Sequence, residues 1–370
     1  MTKRKIALLL FNYFPYGGLQ KDFYFIAKEL KRRGFELQVF TGIWNGSNPE
    51  KFLIKELGIK GFSNHRRNIN FYKKVKKAME SFSPDLVFGF NKIPELDFYF
   101  ASDTCFKYKV RISRSELYRF STRYRKSLEY EKAVFGADSK TKILLLNKKQ
   151  KSEFISEYQT NLDRMDIVPP GIPLDWASNK PSGIREDLGL DEKAELLLFV
   201  GSDFKRKGLD RAIEVLDYLN KKKNIYLLIA GQDEGRPYKE LLKLRNLSSK
   251  VFFLGPVEDI NGLMLESDLL IHPAREEAAG NVIIEAMVSS LPILTCSSVG
   301  FSSLVEDNKA GLVLKGNFDQ ASFNLLAKEL TTRNINLELK KNMSHLKNKD
   351  YFYSRFSYVA DSIESYLDEK

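Results

Sequence analysis

The amino-acid sequence predicts an α/β protein of two Rossmann-like, doubly wound parallel-sheet domains facing across a cleft. Three observations carry the expectation. Short apolar runs alternate with helical patterns along the chain, as βαβ units require. The runs are apolar almost throughout rather than at every second position, which suits strands covered by helices on both faces. The alternation halts at a proline-rich stretch and then restarts, and 370 residues suffice for two domains of ordinary size.

The first half opens on the strand KIALLLF. A helical pattern follows over Lys21–Gly34, KDFYFIAKELKRRG, whose closing glycine suits a C-terminal cap. ELQVFTG, DLVFGFN, DFYFASD and KILLLN read as the next strands. The stretch DIVPPGIPLDW supplies proline punctuation and is the natural linker. The second half restarts with ELLLFVGSD, IYLLIAG, VFFLG, DLLIHPA, PILTCS and AGLVL, with helices such as Gly208–Leu219 and Gly262–Ser267 between them. The closing YFYSRFSYVADSIESYL is an amphipathic helix far from any strand, expected to pack back toward the first domain. The expected division is therefore 1–168, 169–349 and a terminal helix within 350–370.

Composition narrows the class. A hydrophobic content of 43% with 29% charged residues fits a soluble globular protein. There is no run of 18 apolar residues to span a membrane. The N-terminal MTKRKIALLLFNYFPYGG has the basic start of a signal peptide, but aromatic residues and glycines stand where small residues should mark cleavage. It reads as a first strand, and the expected location is the cytoplasm. Two distant cysteines, Cys105 and Cys296, make no disulfide framework, and no Cys/His cluster has zinc spacing. The net charge of +11 is one-sided: residues 1–168 hold 33 Lys+Arg against 18 Asp+Glu, the remainder 26 against 30. The first half is thus expected to meet an anionic partner.

Candidate site residues gather at βα turns. Gly17 and Gly18, in LFNYFPYGGLQKDF, fall between strand and helix, where backbone amides and the helix dipole favour phosphate. Asp22 is expected in the first turn of the following helix, where a carboxylate also complements the dipole. In VGSDFKRKGLDR, Lys205, Arg206 and Lys207 precede Gly208 at the opening of a helix. Three cations there oppose the dipole unless a di-anion such as a pyrophosphate sits among them. The segment REEAAGNVIIEA is the most specific signal. Gly280 reads as a helix start, which leaves Glu277 on the loop and Glu285 about a turn and a half into the helix. Small residues let a ligand reach the helix amides, and flanking carboxylates can accept hydrogen bonds from sugar hydroxyls. His272 and His65 are available as bases, although His272 ends a buried strand and reads equally as core.

Residues 106–132 form a second feature, with nine Lys+Arg against three Glu and interleaved aromatics. Leu117, Phe120, Tyr124 and Leu128 recur at helical spacing, while Arg119, Arg123 and Lys126 repeat on another side. One amphipathic helix lying in an anionic membrane interface is the expectation. Nucleic acid could use the same features but has no accompanying fold, and a plain solvated helix is the simplest alternative. A second basic run, NHRRNINFYKKVKK, could add to the same face.

GSDFKRKG followed by HPAREEAAGNVIIEA, with its Glu-x₇-Glu spacing, resembles the retaining sugar-nucleotide glycosyltransferases of family 4, which have two Rossmann-like domains in the GT-B arrangement. FNYFPYGGLQKDF, VFGFNKIPELDFYFASDTC, VPPGI and GSDFKRKGLDR resemble, more narrowly, the bacterial lipopolysaccharide core glucosyltransferase I family, from the first strand to about Val313. The resemblance implies α-linked transfer of glucose, with retention, from UDP-glucose to an inner-core heptose at the cytoplasmic face of the inner membrane. By motif position it gives Arg206 and Lys207 the donor diphosphate, Glu277 the hexose hydroxyls and Glu285 the ribose. Ala278, Ala279 and Gly280 would shape the donor pocket through their backbones, and the main chain at Val257 would read uracil. Gly17 and Gly18 would approach the donor phosphates from the opposite domain, Asp103 in FASDTC would stand at the reaction centre, and Asp22 near the acceptor. The segment carrying Arg119, Arg123, Tyr124 and Lys126 would face the membrane. Ser202 departs from the family pattern, which often has an arginine there.

The implied chemistry is substitution at the anomeric carbon through an oxocarbenium-like state, with the cations stabilising departing UDP. The sequence has no Asp-x-Asp pair, so no metal or other cofactor is expected. The expected partners are a UDP-sugar, the lipopolysaccharide inner core and an anionic membrane surface, and no nucleic acid. Rival readings are a related transferase using UDP-galactose, UDP-N-acetylglucosamine or another glycan acceptor, and a non-catalytic protein that captures nucleotides or polyanions. A two-domain solute-binding protein would need export, which the N-terminus does not support.

Overall fold

The computed structural model describes residues 3–59, 64–176, 180–221 and 224–370, with the side chains of Asn64, His65 and Ser113 outside that set. The chain forms two compact units. The first runs to Gly171 and resumes at Ser354–Lys370, and the second is Ile172–Tyr353. The chain therefore changes unit three residues after the expected 168, and residues 350–353 stay with the second unit.

In the first unit, β1 (Lys5–Tyr13), β2 (Glu36–Trp44), β3 (Leu53–Glu56), β4 (Leu86–Gly89), β5 (Phe98–Ala101), β6 (Lys142–Leu145) and β7 (Met165–Ile167) form one parallel sheet, in the order β3-β2-β1-β4-β5-β6-β7. Ile6 to Leu10 are consecutive and all buried. Since successive side chains point to opposite faces, both faces of β1 are covered. On one side Leu9, Phe40, Tyr99 and Ile143 pack with Phe71, Val134, Phe135 and Phe154. On the other, Phe23 meets Phe90 edge-on at 5.0 Å.

In the second unit, β8 (Glu195–Val200), β9 (Ile225–Ala230), β10 (Val251–Gly255), β11 (Leu269–His272), β12 (Ile293–Cys296) and β13 (Gly311–Leu314) form a parallel sheet ordered β10-β9-β8-β11-β12-β13. Both sheets reverse strand order at their centre, between β1 and β4 and between β8 and β11. In open α/β sheets, the loops leaving the carboxyl ends of the strands at that point are where ligands bind.

Eleven of these strands match the sequence expectation, and the two it lacks, β3 and β7, are the edges of the first sheet. The helix expected over Lys21–Gly34 begins earlier, at Gly18, and ends at Arg32, with Gly34 beyond it at φ +92°. The terminal helix is Arg355–Glu369 and lies against the helix Gly18–Arg32. Its first residue is wholly buried: the Arg355 guanidinium donates to Asp22 Oδ1 at 2.6 Å and to the Pro169 carbonyl at 3.0 Å.

The single amphipathic helix expected within 106–132 is not what forms. The segment breaks into a helix Phe106–Ser113, a 3₁₀ turn Glu116–Phe120 and a helix Thr122–Phe135, which the Ser121 hydroxyl caps by accepting from the Tyr124 N–H. The break has a local reason: Arg114, Ser115 and Ser121 are all extended, and Ser121 favours a cap over a helix interior.

Candidate active site

A constellation of charged side chains in the second unit lies where its sheet reverses order. From β8 the chain passes Gly201 to Asp203, makes a one-turn helix Phe204–Lys207, turns at Gly208 and enters the helix Leu209–Asn220. From the neighbouring β11 it passes Pro273 to Gly280 and enters the helix Asn281–Val288. Glycine is required at both turns. Gly208 has φ +81°, and a Cβ there would lie 2.3 Å from the Pro273 carbonyl oxygen; Gly280 has φ +88°, and its Cβ would meet Val299 at 2.7 Å.

The two loops are tied together by charge. Arg206 Nη1 donates to Glu277 Oε2 at 2.9 Å and to the Glu276 carbonyl at 3.0 Å, while its Nε reaches Asp203 Oδ2 at 2.9 Å. Lys207 Nζ pairs with the same Glu277 oxygen. Backbone bonds fix the frame: the Arg275 N–H donates to the Arg206 carbonyl, the Gly300 N–H to the Glu277 carbonyl and the Phe301 N–H to the Ala279 carbonyl, at 2.8, 3.0 and 2.8 Å. Burial pushes the Glu277 carboxyl up, but the charges of Lys207 and Arg206 outweigh it and leave its pKa lowered. Burial also works against Arg206, whose pKa is nevertheless raised by Glu277 and Asp203. Lys207, nearly enclosed, is pulled down by burial although Glu277 opposes the shift.

The expectation of three cations opposing a helix dipole needs correction. Lys205, Arg206 and Lys207 do precede Gly208 and the helix Leu209–Asn220, but they also end a one-turn helix of their own, and two of them already have carboxylate partners that offset their charge. What stands is a concentration of positive charge in a largely desolvated place, balanced by groups that a bound anion could displace.

Glu285 is the fifth residue of the helix Asn281–Val288, buried, and close enough for its charge to act on Lys207. Ala278 is half-buried, Ala279 and Gly280 are buried, and Val257 is half-buried on the loop after β10. His272 is wholly buried, and neither ring nitrogen meets a protein partner among the described residues. Burial, with Lys207 adding to it, pulls its pKa down to about 3, so the imidazole is neutral at physiological pH.

In the first unit, Gly17 and Gly18 mark the turn after β1, at that sheet's own reversal point. Gly17 has a packing reason to be glycine, because a Cβ would overlap the Gln20 side chain and come within 2.8 Å of the Phe14 ring. Asp22 is not in the first helical turn as expected, because the helix starts at Gly18; it is the fifth helical residue and is buried in its ion pair with Arg355. Asp103 is exposed on the loop after β5. Arg119 and Arg123 are exposed and Lys126 is half-buried, with Arg119 3.9 Å from Glu116 and Lys126 2.6 Å from Glu129. Tyr124 is half-buried, its ring 6.0 Å from Phe106 and 6.1 Å from Tyr118, so it is engaged within the unit. Leu117 and Phe120 are 79% and 77% exposed. The side chain of His65 lies outside the described residues.

Sequence reasoning missed Asp203, which caps the helix Phe204–Lys207 and anchors Arg206. An aspartate just before a short helical run was a readable cap signal. It also missed Asp233, which accepts from the Phe204 N–H at 2.8 Å from 29 residues away and left no local trace.

Comparison with known proteins places the chain. Residues 182–348 match the family model described as glycosyl transferases group 1. The chain is 38% identical over 371 residues to lipopolysaccharide glucosyltransferase WaaG of Escherichia coli strain K12, covering 98% of this chain and 99% of that protein. The crystal structure of WaaG, a glycosyltransferase involved in lipopolysaccharide biosynthesis, superposes with a TM-score of 0.93 over 97% of this chain and 99% of that one. The likeness therefore continues well past Val313. Anabaena Alr3699/HepE in complex with UDP and glucose has a TM-score of 0.74 at 18% identity, over 99% of this chain and 100% of that one, which is a likeness of fold. The chain belongs to the group 1 glycosyltransferases and is a full-length relative of lipopolysaccharide glucosyltransferase WaaG.

Proposed function

We propose that this glycosyltransferase moves glucose from UDP-glucose to an inner-core heptose of lipopolysaccharide, with retention at the anomeric carbon and without a metal. The observation that carries the reading is the Arg206–Lys207–Glu277 cluster at the reversal point of the second sheet, in a chain related to WaaG over nearly its whole length. In this reading the donor diphosphate takes Arg206 and Lys207 from Glu277, and the released carboxylate accepts from hexose hydroxyls. Glu285 does the same for the ribose, and the main chain at Val257 reads the uracil. The bond from the anomeric carbon to the diphosphate breaks with its electron pair going to UDP, whose charge the two cations stabilise. The acceptor oxygen forms the new bond on the same face, and its proton goes to Asp103 or to the departing phosphate.

The exposed Leu117 and Phe120, set among Arg111, Arg114, Arg119 and Arg123, support peripheral attachment to an anionic membrane surface at the cytoplasmic face. Among the described residues no helix is long and apolar enough to cross a membrane.

The test is transfer by the purified protein to heptose-terminated lipopolysaccharide from UDP-glucose, UDP-galactose and UDP-N-acetylglucosamine separately, without added metal and with a chelator. Mass spectrometry of the acceptor reads what was added. One hexose gained from UDP-glucose alone is the expected result. Gain from another donor would replace the proposed sugar, and a requirement for metal would overturn the metal-free mechanism.

A further inference from the structure

Beneath the loop that carries Asp103, the first unit holds a set of buried and half-buried polar side chains that the proposed mechanism does not use. Gln150 lies on the helix Lys148–Tyr158 and is buried. Its Nε2 donates to the carbonyls of Ala101 and Asp103, each at 2.8 Å, and its Oε1 accepts from the Leu146 N–H at 2.9 Å. One side chain thus joins the ends of β5 and β6 and holds the main chain of Asp103 itself. On the other flank, Lys92 Nζ donates to the Thr104 carbonyl at 3.1 Å and to Glu131 Oε1 at 2.6 Å.

Glu131 is 0% exposed. Its oxygens accept from the N–H groups of Phe106 and Lys107 at 2.8 and 2.9 Å, and from the Tyr158 hydroxyl at 2.7 Å. It therefore caps, from a distant helix, the helix that begins where the Asp103 loop ends; Cys105, at the cap position, gives that helix no side-chain cap, and its thiol donates to Glu131 Oε2 at 3.9 Å instead. The loop is gripped through its carbonyls at 101, 103 and 104 and through the first two amides after it.

Much of this could be read as the satisfaction of strand ends and helix amides. Stability alone does not call for a buried carboxylate–ammonium pair, because well-packed apolar residues of similar volume generally serve as well or better. What such a network does provide is a fixed geometry. Here the only residue of the gripped loop whose side chain is left exposed is Asp103.

We propose that Gln150 and the Glu131–Lys92 pair are positioning residues for transfer, holding the Asp103 loop so that its carboxylate stands where the acceptor hydroxyl must be oriented. The inference rests on the role of Asp103 given above. A displaced loop would leave donor recognition alone, since the donor-binding cluster belongs to the other unit, and would slow the chemical step by up to about 10²-fold, the scale of a misplaced reacting group.

The experiment is a double-mutant cycle in the full-length protein. Gln150→Ala and Glu131→Gln, one on each flank, are made alone and with Asp103→Ala. Transfer from UDP-glucose to heptose-terminated lipopolysaccharide is measured alongside UDP binding by calorimetry. The expected result is a kcat lowered 10- to 100-fold in each single variant, with UDP affinity and donor KM unchanged, and no further loss when either is added to Asp103→Ala. Should one variant fail to fold, the other flank carries the test. Undiminished kcat in a folded Gln150→Ala or Glu131→Gln protein, or losses that multiply with that of Asp103→Ala, would overturn the inference while leaving the role of Asp103 intact. Undiminished transfer by Asp103→Ala alone would instead remove the reading on which it rests.

Discussion

Glu277 pairs with the same two cations that the proposed reaction assigns to the diphosphate. Its replacement should therefore act on transfer far more than on folding. Glu277→Gln is expected to keep the native circular dichroism and lose 10²-fold or more in kcat/KM, the scale seen when a preorganised polar contact is removed. Wild-type activity would withdraw the donor-site assignment. His272 gives a second residue-level expectation. Its folded pKa, about 3, lies below the ordinary 6.5, so between those values the unfolded chain holds a proton that the native protein does not. Stability attached to this group is complete above pH 6.5 and declines as pH falls toward 3. Urea unfolding at pH 7 and pH 5 should show that loss, and His272→Gln should reduce it. The positions of Glu277 and Glu285 were legible in the sequence because helical periodicity and a glycine hinge fix them locally. The pairing of Lys207 with Glu277 was not, since 70 residues separate them and only the adjacency of β8 and β11 brings them together.

At the scale of elements, the basic aromatic segment shows where periodicity misleads. Leu117, Phe120, Tyr124 and Leu128 have helical spacing, yet Ser121 ends one piece and starts the next, and Tyr124 turns inward. The piece left outward is the 3₁₀ turn, with Leu117 and Phe120 at its surface. Two kinds of substitution should separate the forces in the proposed membrane attachment. Neutralising Arg119, Arg123 and Lys126 should weaken binding to anionic vesicles at low salt and make little difference at high salt. Leu117→Ser with Phe120→Ser should weaken it at every salt concentration, since apolar insertion is not screened. Vesicle co-sedimentation across a salt series reads both, and indifference to all five changes would refute the attachment. The central strands were readable because burial on two faces makes them uniformly apolar. The edges β3 and β7 were not, because charge and exposure break their apolar pattern: Leu53 is exposed beside Lys55 and Glu56, and Asp166 stands in mid-strand.

For the whole molecule, the decisive feature is that the chain leaves its first unit at Gly171 and returns to it at Ser354. The sequence suggested the return, because an amphipathic helix with no strand nearby must bury its apolar face somewhere. What could not be read was how tightly it is tied down. Arg355 enters a wholly buried position to neutralise Asp22, and it fits because Gly171 has no side chain: a Cβ there would lie 2.4 Å from Arg355 Cβ. Along the same helix Phe356 stacks on Phe25 at 5.2 Å, Tyr366 meets Phe98 edge-on at 5.1 Å, and Asp361 and Glu364 both pair with Arg33 at 2.6 Å. Removing one partner of a buried ion pair leaves an uncompensated charge, at a cost of about 3–5 kcal/mol. Arg355→Met should therefore destabilise the first unit by that amount, and a chain stopped after Tyr353 should lose more, since the apolar contacts go too. The second unit contains none of these contacts. Hydrogen exchange should accordingly find faster exchange in β1 and in the helix Gly18–Arg32, with β8 and β11 protected as before. UDP binding, which the proposed donor site assigns to the second unit, should survive both changes. Equal loss of protection in the two units would mean that they unfold as one cooperative body, and that the C-terminal helix stabilises the whole chain rather than the unit it rejoins.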